Sequence, residues 1–293
     1  MFPLPRSAHP PAWHLRDRTF NWGERTYLMG ILNVTPDSFS DGGQFNQLDR
    51  ALAQARHLAT AVDILDIGGQ STRPNAQEIS VTEELDRVIP VIEAVRVELS
   101  MPISVDTTRA VVVEAAIAAG ADVVNDISGG TYDAALLATV SRLGVPLILM
   151  HRRGTPSTMQ QMTDYTNLIG EISQFLAQQV GAAIAAGIPA SHLMIDPGIG
   201  FAKTVDQNLE LLQNLPVFQA LGCPLLVGTS RKSFIGHLLN QPDPQQRVWG
   251  TAATCCAAIA GGADILRVHD GVEIQDVCRV ADALWRRPLQ DKK

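Results

Sequence analysis

The feature that most constrains the fold is a unit that recurs eight times along the 293 residues. A short apolar run ends on a polar residue and passes into the next unit, in most cases through a stretch with helical spacing. The runs are Leu28 to Leu32 before Asn33, Ile64 to Ile67 before Gly68, Ile103 to Val105 before Asp106, and Asp122 to Val124 before Asn125 and Asp126. They continue with Pro146 to Met150 before His151, His192 to Ile195 before Asp196, Pro224 to Val227 before GTSRKSFIG, and Ile265 to Val268, flanked by His269 and Asp270. Near-continuous apolar character reads as parallel strands covered on both faces. The helical spacing falls on Leu48 to Thr60, Val81 to Leu99, Ala110 to Ala119, Asp133 to Leu143, Asp164 to Ala186, Arg247 to Ala260 and Val272 to Trp285. An open doubly wound sheet competes, but no GxGxxG follows the first run, and eight similar units favour closure into one (β/α)₈ TIM barrel.

A chain of this length is large for one ordinary domain and usual for one barrel. No break in composition marks a linker, so residues 1–12 read as a Pro-rich tail and residues 13–290 as one domain. Alternation from Trp13 to Tyr27 around Asn21 to Gly23 predicts a β-hairpin capping one end of the barrel. The net charge of -7 offers no counter-charge to nucleic acid or an anionic membrane, and neither is expected as a partner. No apolar run is long enough to span a bilayer and the first dozen residues lack a signal-peptide core, so a cytoplasmic protein is expected. The four cysteines, Cys223, Cys255, Cys256 and Cys278, show no metal-ligand spacing and read as reduced packing residues.

In a barrel every loop that follows a strand opens on the same face. Asn33, Ser71, Thr72, Arg73, Asp106, Asn125, His151, Asp196, Lys232, Arg267 and His269 would therefore converge on one mouth. Carboxylates at the ends of buried strands need partners. Asp106, Asn125 and Asp196 together suit a flat ligand edge rich in N–H donors, such as an aminopyrimidinone. Lysine is scarce: four of the 23 basic residues, with Lys203 and Lys232 each close behind a strand end. Arg267 and His269 alternate on the last strand beside a frequent phosphate site of barrels. With Asn33 and a carboxylate across the mouth, a Mg²⁺-bound diphosphate fits. The first two polar loops, Thr35 to Gly43 and Ser71 to Ala76, have few apolar anchors and read as mobile when empty.

The stretches NVTPDSFSDGG, DILDIGGQSTRP, SVDTTR, VNDISGG, MHRRGTPSTMQ, IDPGIGFAK, SRKSFIG and RVHD resemble the dihydropteroate synthases, the folate-pathway transferases targeted by sulfonamides. The resemblance runs from about residue 27 to about residue 285; Gln70, Asn75 and Gly271 depart from the usual Glu, Gly and apolar residue. It implies condensation of 6-hydroxymethyl-7,8-dihydropterin diphosphate with 4-aminobenzoate, by an S_N1-like route, to 7,8-dihydropteroate and diphosphate. Catalysis would fall to Asp106, Lys232, Arg267 and His269. Asp106, Asn125, Asp196 and Lys232 would hold the pterin. Asn33, Thr72, Arg73, Arg267 and His269 would hold the diphosphate, with Asn33 also on Mg²⁺. Phe39, Arg73, Pro74, Phe201, Lys232 and Ser233 would frame the aminobenzoate, and the family implies a homodimer. Corrinoid-linked methyltetrahydrofolate methyltransferases also resemble pterin-binding barrels, but lack the SRK stretch and the DSFSD loop. A non-catalytic pterin-binding protein would have lost Asn33 or the residues of the first loop.

Overall fold

The structure is a computed structural model that describes residues 9–35, 44–71 and 76–286. A two-stranded hairpin, β1 (Trp13–Leu15) and β2 (Arg18–Phe20), precedes the first barrel strand β3 (Tyr27–Asn33). Then follow α1 (Gln44–Ala59), β4 (Ile64–Gly68), α2 (Val81–Glu98), β5 (Ile103–Asp106), α3 (Ala110–Ala118), β6 (Val123–Asp126), α4 (Leu136–Leu143) and β7 (Leu147–Met150). The second half holds α5 (Leu168–Ala185), β8 (Leu193–Asp196), α6 (Val205–Gln213), β9 (Leu226–Val227), α7 (Ser233–Leu238), α8 (Val248–Ala260), β10 (Ile265–Val268) and α9 (Gly271–Trp285). Strand order is β8-β7-β6-β5-β4-β3-β10-β9, with all seven pairings parallel. A parallel bridge from Ile195 to Leu225 closes the ring. The expected (β/α)₈ barrel is thus present.

Alternation along each strand separates two interiors. Leu65 and Ile67, Ile103 and Val105, Leu147 and Leu149, and Leu266 and Val268 face the helices in the large outer core. The other set lines the lumen, and its lower layer is apolar: Met29, Ile64, Val123, Ile148, Met194, Leu226 and Ile265 cluster together. Two residues further along the same strands stand Asp66, Asn125, Met150, Asp196 and Arg267. The lumen therefore changes from hydrocarbon to polar over a single repeat of the pleat, and that change makes the mouth.

The hairpin caps the end opposite the mouth, as expected. Trp13, Leu15, Phe20 and Trp22 join the lower lumen cluster, and Trp13 Nε1 donates to the Ser191 carbonyl at 2.8 Å. Its turn is not at Asn21 to Gly23. Pairing of Leu15 with Arg18 puts it at Arg16 and Asp17, with Arg16 in the left-handed region at φ 55°. Two-residue hairpin turns need such a residue, and Tyr27 hydroxyl instead holds the Asn21 segment by accepting its N–H at 2.7 Å. Of the tail, Pro11 carbonyl accepts from Trp22 Nε1 at 2.9 Å; residues 1–8 and 287–293 lie outside the described residues.

Helix starts also differ from the spacing. α4 begins at Leu136 because the Asp133 carboxylate accepts from Ala135 N and from Ala110 N, tying the preceding turn to α3. α5 begins at Leu168 because the Asn167 side chain caps Gly170 N, while Glu171 accepts from Thr166 N and Asn167 N. Helices α6 and α7 have no counterpart in the spacing; α6 opens on a capping box of Thr204 and Gln207. All four cysteines are free, three of them buried. Among the described residues no helix is long and apolar enough to cross a membrane.

Candidate active site at the barrel mouth

Two carboxylates share one guanidinium at the floor of the mouth. Arg267 Nε donates to Asp66 Oδ2 and its NH2 to Asp106 Oδ2, both at 2.6 Å. Asn125 Nδ2 donates to the same Asp66 oxygen at 3.1 Å. Asp66 was not singled out in the sequence. It stands inside an otherwise apolar strand, two residues beyond the lumen-facing Ile64, and a carboxylate in that setting is itself a signal. Asp66 Oδ1 and Ser104 Oγ are both buried, are paired across β4 and β5, and accept no hydrogen bond from any described residue. Burial pushes the Asp106 carboxyl up to about 7; Arg267 pulls it back, and Asp66 pushes it further up.

The opposite wall is the loop that follows β8. Asp196 Oδ1 accepts from Gly198 N at 2.7 Å, and burial holds this carboxyl above its ordinary range. Lys232 Nζ donates to the Ile199 carbonyl at 2.8 Å and lies 4.1 Å from the centre of the Phe201 ring. Burial outweighs Asp196 and lowers the ammonium to about 8. Phe201 packs with Ile127, Met150 and Met159 in a small apolar cluster beside the polar layer. Ser233, the first residue of α7, is exposed at the same rim.

Asn33 ends β3, in register with Gly68, which is followed by Asp106 in the next pairing. Its side chain makes no hydrogen bond to any described residue, whereas His269 uses its backbone N and Nδ1 on Ser230 Oγ, at 3.1 and 3.0 Å. Arg231, beside it, is bidentate to Asp270 and so faces away from any role as a free cation. The structure brings Asn33, Asp106, Asn125, Asp196, Lys232, Arg267 and His269 to one end of the barrel. Arg267, expected on an anion, is also the partner of Asp106, and the two functions assigned to them meet at one ion pair. Phe39, Thr72, Arg73 and Pro74, with Asp37, Asp41 and the rest of residues 36–43 and 72–75 of the two polar loops, lie outside the described residues.

A divalent cation finds no ready cage: among the described residues no three His, Cys, Asp or Glu gather to hold one. The donor set does fit Mg²⁺ carried on a diphosphate, because Mg²⁺ keeps waters and substrate oxygens and needs few protein ligands. Asn33 offers its amide oxygen for that purpose.

The family model described as pterin binding enzyme matches residues 29–269. The dihydropteroate synthase of a Synechocystis strain is 58% identical over 278 residues, covering 94% of this chain and 96% of the relative. Two structures from Xanthomonas albilineans align closely. Dihydropteroate synthase with 4-aminobenzoic acid has TM-score 0.88 at 42% identity, and the complex with 7,8-dihydropteroate has TM-score 0.85 at 40%; each alignment covers 95% of this chain and 100% of the other. With a lumen that turns polar where a pterin edge needs acceptors, and with similarity over nearly its whole length, the chain belongs to the dihydropteroate synthase family of pterin-binding enzymes.

Proposed function

We propose that the mouth condenses 6-hydroxymethyl-7,8-dihydropterin diphosphate with 4-aminobenzoate, releasing diphosphate and 7,8-dihydropteroate. The observation that carries this reading is the polar layer of the lumen. Asp106, Asn125 and Asp196 line it, and Asp66 Oδ1 and Ser104 Oγ stand ready to accept below. An aminopyrimidinone edge supplies the N–H donors they lack, and its carbonyl and ring nitrogens suit Asn125 and Lys232.

The chemistry follows from charge. As the bond from the exocyclic carbon to oxygen breaks, its electron pair leaves with the diphosphate and positive charge grows on the pterin. Asp106, with only a half share of Arg267, presents negative potential toward that charge in a water-poor site. The arylamine nitrogen then bonds to the carbon and gives up one proton to the departing diphosphate or to water. Asn33, Arg267 and His269 hold the diphosphate, and Asn33 contributes one oxygen to Mg²⁺. That ion supplies charge neutralisation of the leaving group. Phe201, Lys232 and Ser233 frame the aminobenzoate, with the loop residues Phe39, Thr72, Arg73 and Pro74 completing the diphosphate and aminobenzoate subsites.

The protein is cytoplasmic in this reading, in keeping with four unpaired cysteines. It pairs with a second copy through α7 and the head of α8, where Leu238, Leu239 and the 80% exposed Trp249 stand in water. Sedimentation of wild type and Trp249→Glu tests the pairing; a wild-type monomer refutes it. The activity is tested by incubating the protein with both substrates and Mg²⁺ and measuring dihydropteroate. Absence of product from folded protein refutes it.

A further inference from the structure

Two lysines lie among the described residues, and both hold the same loop. Lys203 Nζ donates to the Gly198 and Phe201 carbonyls, each at 2.9 Å, and faces His151 Nδ1 at 3.2 Å. Lys232 Nζ takes the Ile199 carbonyl between them. The four-residue arch from Gly198 to Phe201 is thus tied at three of its carbonyls, from behind by Lys203 and from the mouth by Lys232. An ammonium has three donors and no acceptor, so the contact with His151 requires an unprotonated Nδ1. Burial and the adjacent Lys203 charge, which hold the imidazole far below its ordinary range, agree with that tautomer.

The arch cannot move far. Gly198 has φ +74°, and a Cβ there would lie 1.9 Å from the His151 carbonyl oxygen. His151 N donates to the Asp196 carbonyl at 2.9 Å, and its ring meets Phe175 edge-on with centroids 5.0 Å apart. Lys203 is 3% exposed, and its hydrogen bond to Phe201 is to the carbonyl, not to the ring assigned to the aminobenzoate.

We propose that Lys203, seated on neutral His151, is a positioning residue that fixes the Gly198 to Phe201 arch and thereby sets both the Phe201 ring and the Lys232 ammonium. The proposal rests on the reading of the mouth given above, in which those two groups face the pterin and the aminobenzoate. The charges that face Lys203 are Asp196, Lys232 and Arg153; those that face Lys232 are Asp196, Arg267 and Asp106.

The test is Lys203→Met in the full chain, with three readouts. Calorimetric titration of 4-aminobenzoate in the presence of Mg²⁺ and inorganic diphosphate should show affinity falling on the order of 10- to 100-fold, the effect of displacing a positioned group by about 1 Å. Titration of Mg²⁺ and diphosphate alone should agree with wild type within about twofold, because Asn33, Arg267 and His269 stand on other strands. In turnover assays the KM for 4-aminobenzoate should rise by more than kcat falls. Wild-type aminobenzoate affinity overturns the proposal, as does an equal loss for diphosphate, which would mark general damage. If Lys203→Met does not fold, His151→Gln decides by the same binding comparison, with a weakened aminobenzoate affinity expected and an unchanged one overturning. The binding readouts stand without turnover, so an inactive wild type would refute the proposed reaction and leave this result separate.

Discussion

A single guanidinium divided between two carboxylates is the residue-scale fact on which the mouth depends. Removal of either carboxylate leaves Arg267 with one partner; removal of Arg267 leaves two buried negative charges, which is far worse. In the proposed reaction Asp106 would face the position where positive charge develops, while Asp196 lies across the mouth with its carboxylate tied to Gly198 N. Asp106→Asn should then lower kcat more than pterin affinity, and Asp196→Asn the reverse; steady-state kinetics with pterin titrations compare them, and equal effects in both mutants contradict the division. Lys232 contributes one hydrogen bond to a loop and little to the core, so Lys232→Ala should fold normally yet lose at least ~10²-fold in kcat/KM, on the order of 3 kcal/mol. A folded mutant with normal turnover would contradict its role. Asp106, Asn125 and Asp196 were legible in the sequence because each ends a short apolar run. Asp66 was not, because a residue within a strand shows its side only when the lumen face is known. The pairing of Arg267 with Asp106 spans 161 positions and leaves no local trace.

At the scale of elements, burial decides where propensity hesitates. Pro90 sits within α2, where it removes a backbone donor, yet the helix persists. Pro90 is exposed, so water can serve the unpaired carbonyl, and Val88, Val91, Ile92 and Val95 bury the other face. Strand α-carbons and helix faces were legible for that reason, whereas α6 and α7 were not: α6 has a modest apolar stripe, and its signal is the capping box. Gly271, the departure from the family at the head of α9, has a packing cause, since a Cβ there would come 2.6 Å from Val62 Cγ1. The hairpin carries the clearest prediction. Trp13 is buried against the lower lumen and bonded to Ser191, so Trp13→Ala should cost about 3–5 kcal/mol of stability. Its site is the end of the barrel away from the mouth, so kcat/KM measured well below the melting temperature should stay within about twofold of wild type. Urea unfolding and kinetics at one temperature together check both halves.

Across the whole molecule, the groups that equip the mouth also set how its stability varies with pH. Asp106 is held up to about 7, above its ordinary value of 3.8. A carboxyl raised on folding contributes stability that is complete below its unfolded value and is lost as pH climbs through the folded one. Lys203 and Lys232 are lowered to about 7 and about 8 from 10.5. Their contribution is complete above the unfolded value and is lost as pH falls through the folded values. Both losses are deepest between about pH 7 and 8, where Asp106 is ionised and Lys232 retains its charge. Those are also the protonation states the proposed reaction uses, an accepting carboxylate and a donating ammonium, so kcat/KM should peak where the free mouth is least stable. Asp106→Asn isolates the acid half: the mutant lacks the titration, so the wild-type melting temperature should fall relative to the mutant as pH rises from about 4 to 7. Calorimetric melting of the two proteins across that range measures the difference. A difference that stays flat, or that moves in favour of the wild type as pH rises, would mean that Arg267 keeps Asp106 ionised throughout and that the mouth carries no such strain.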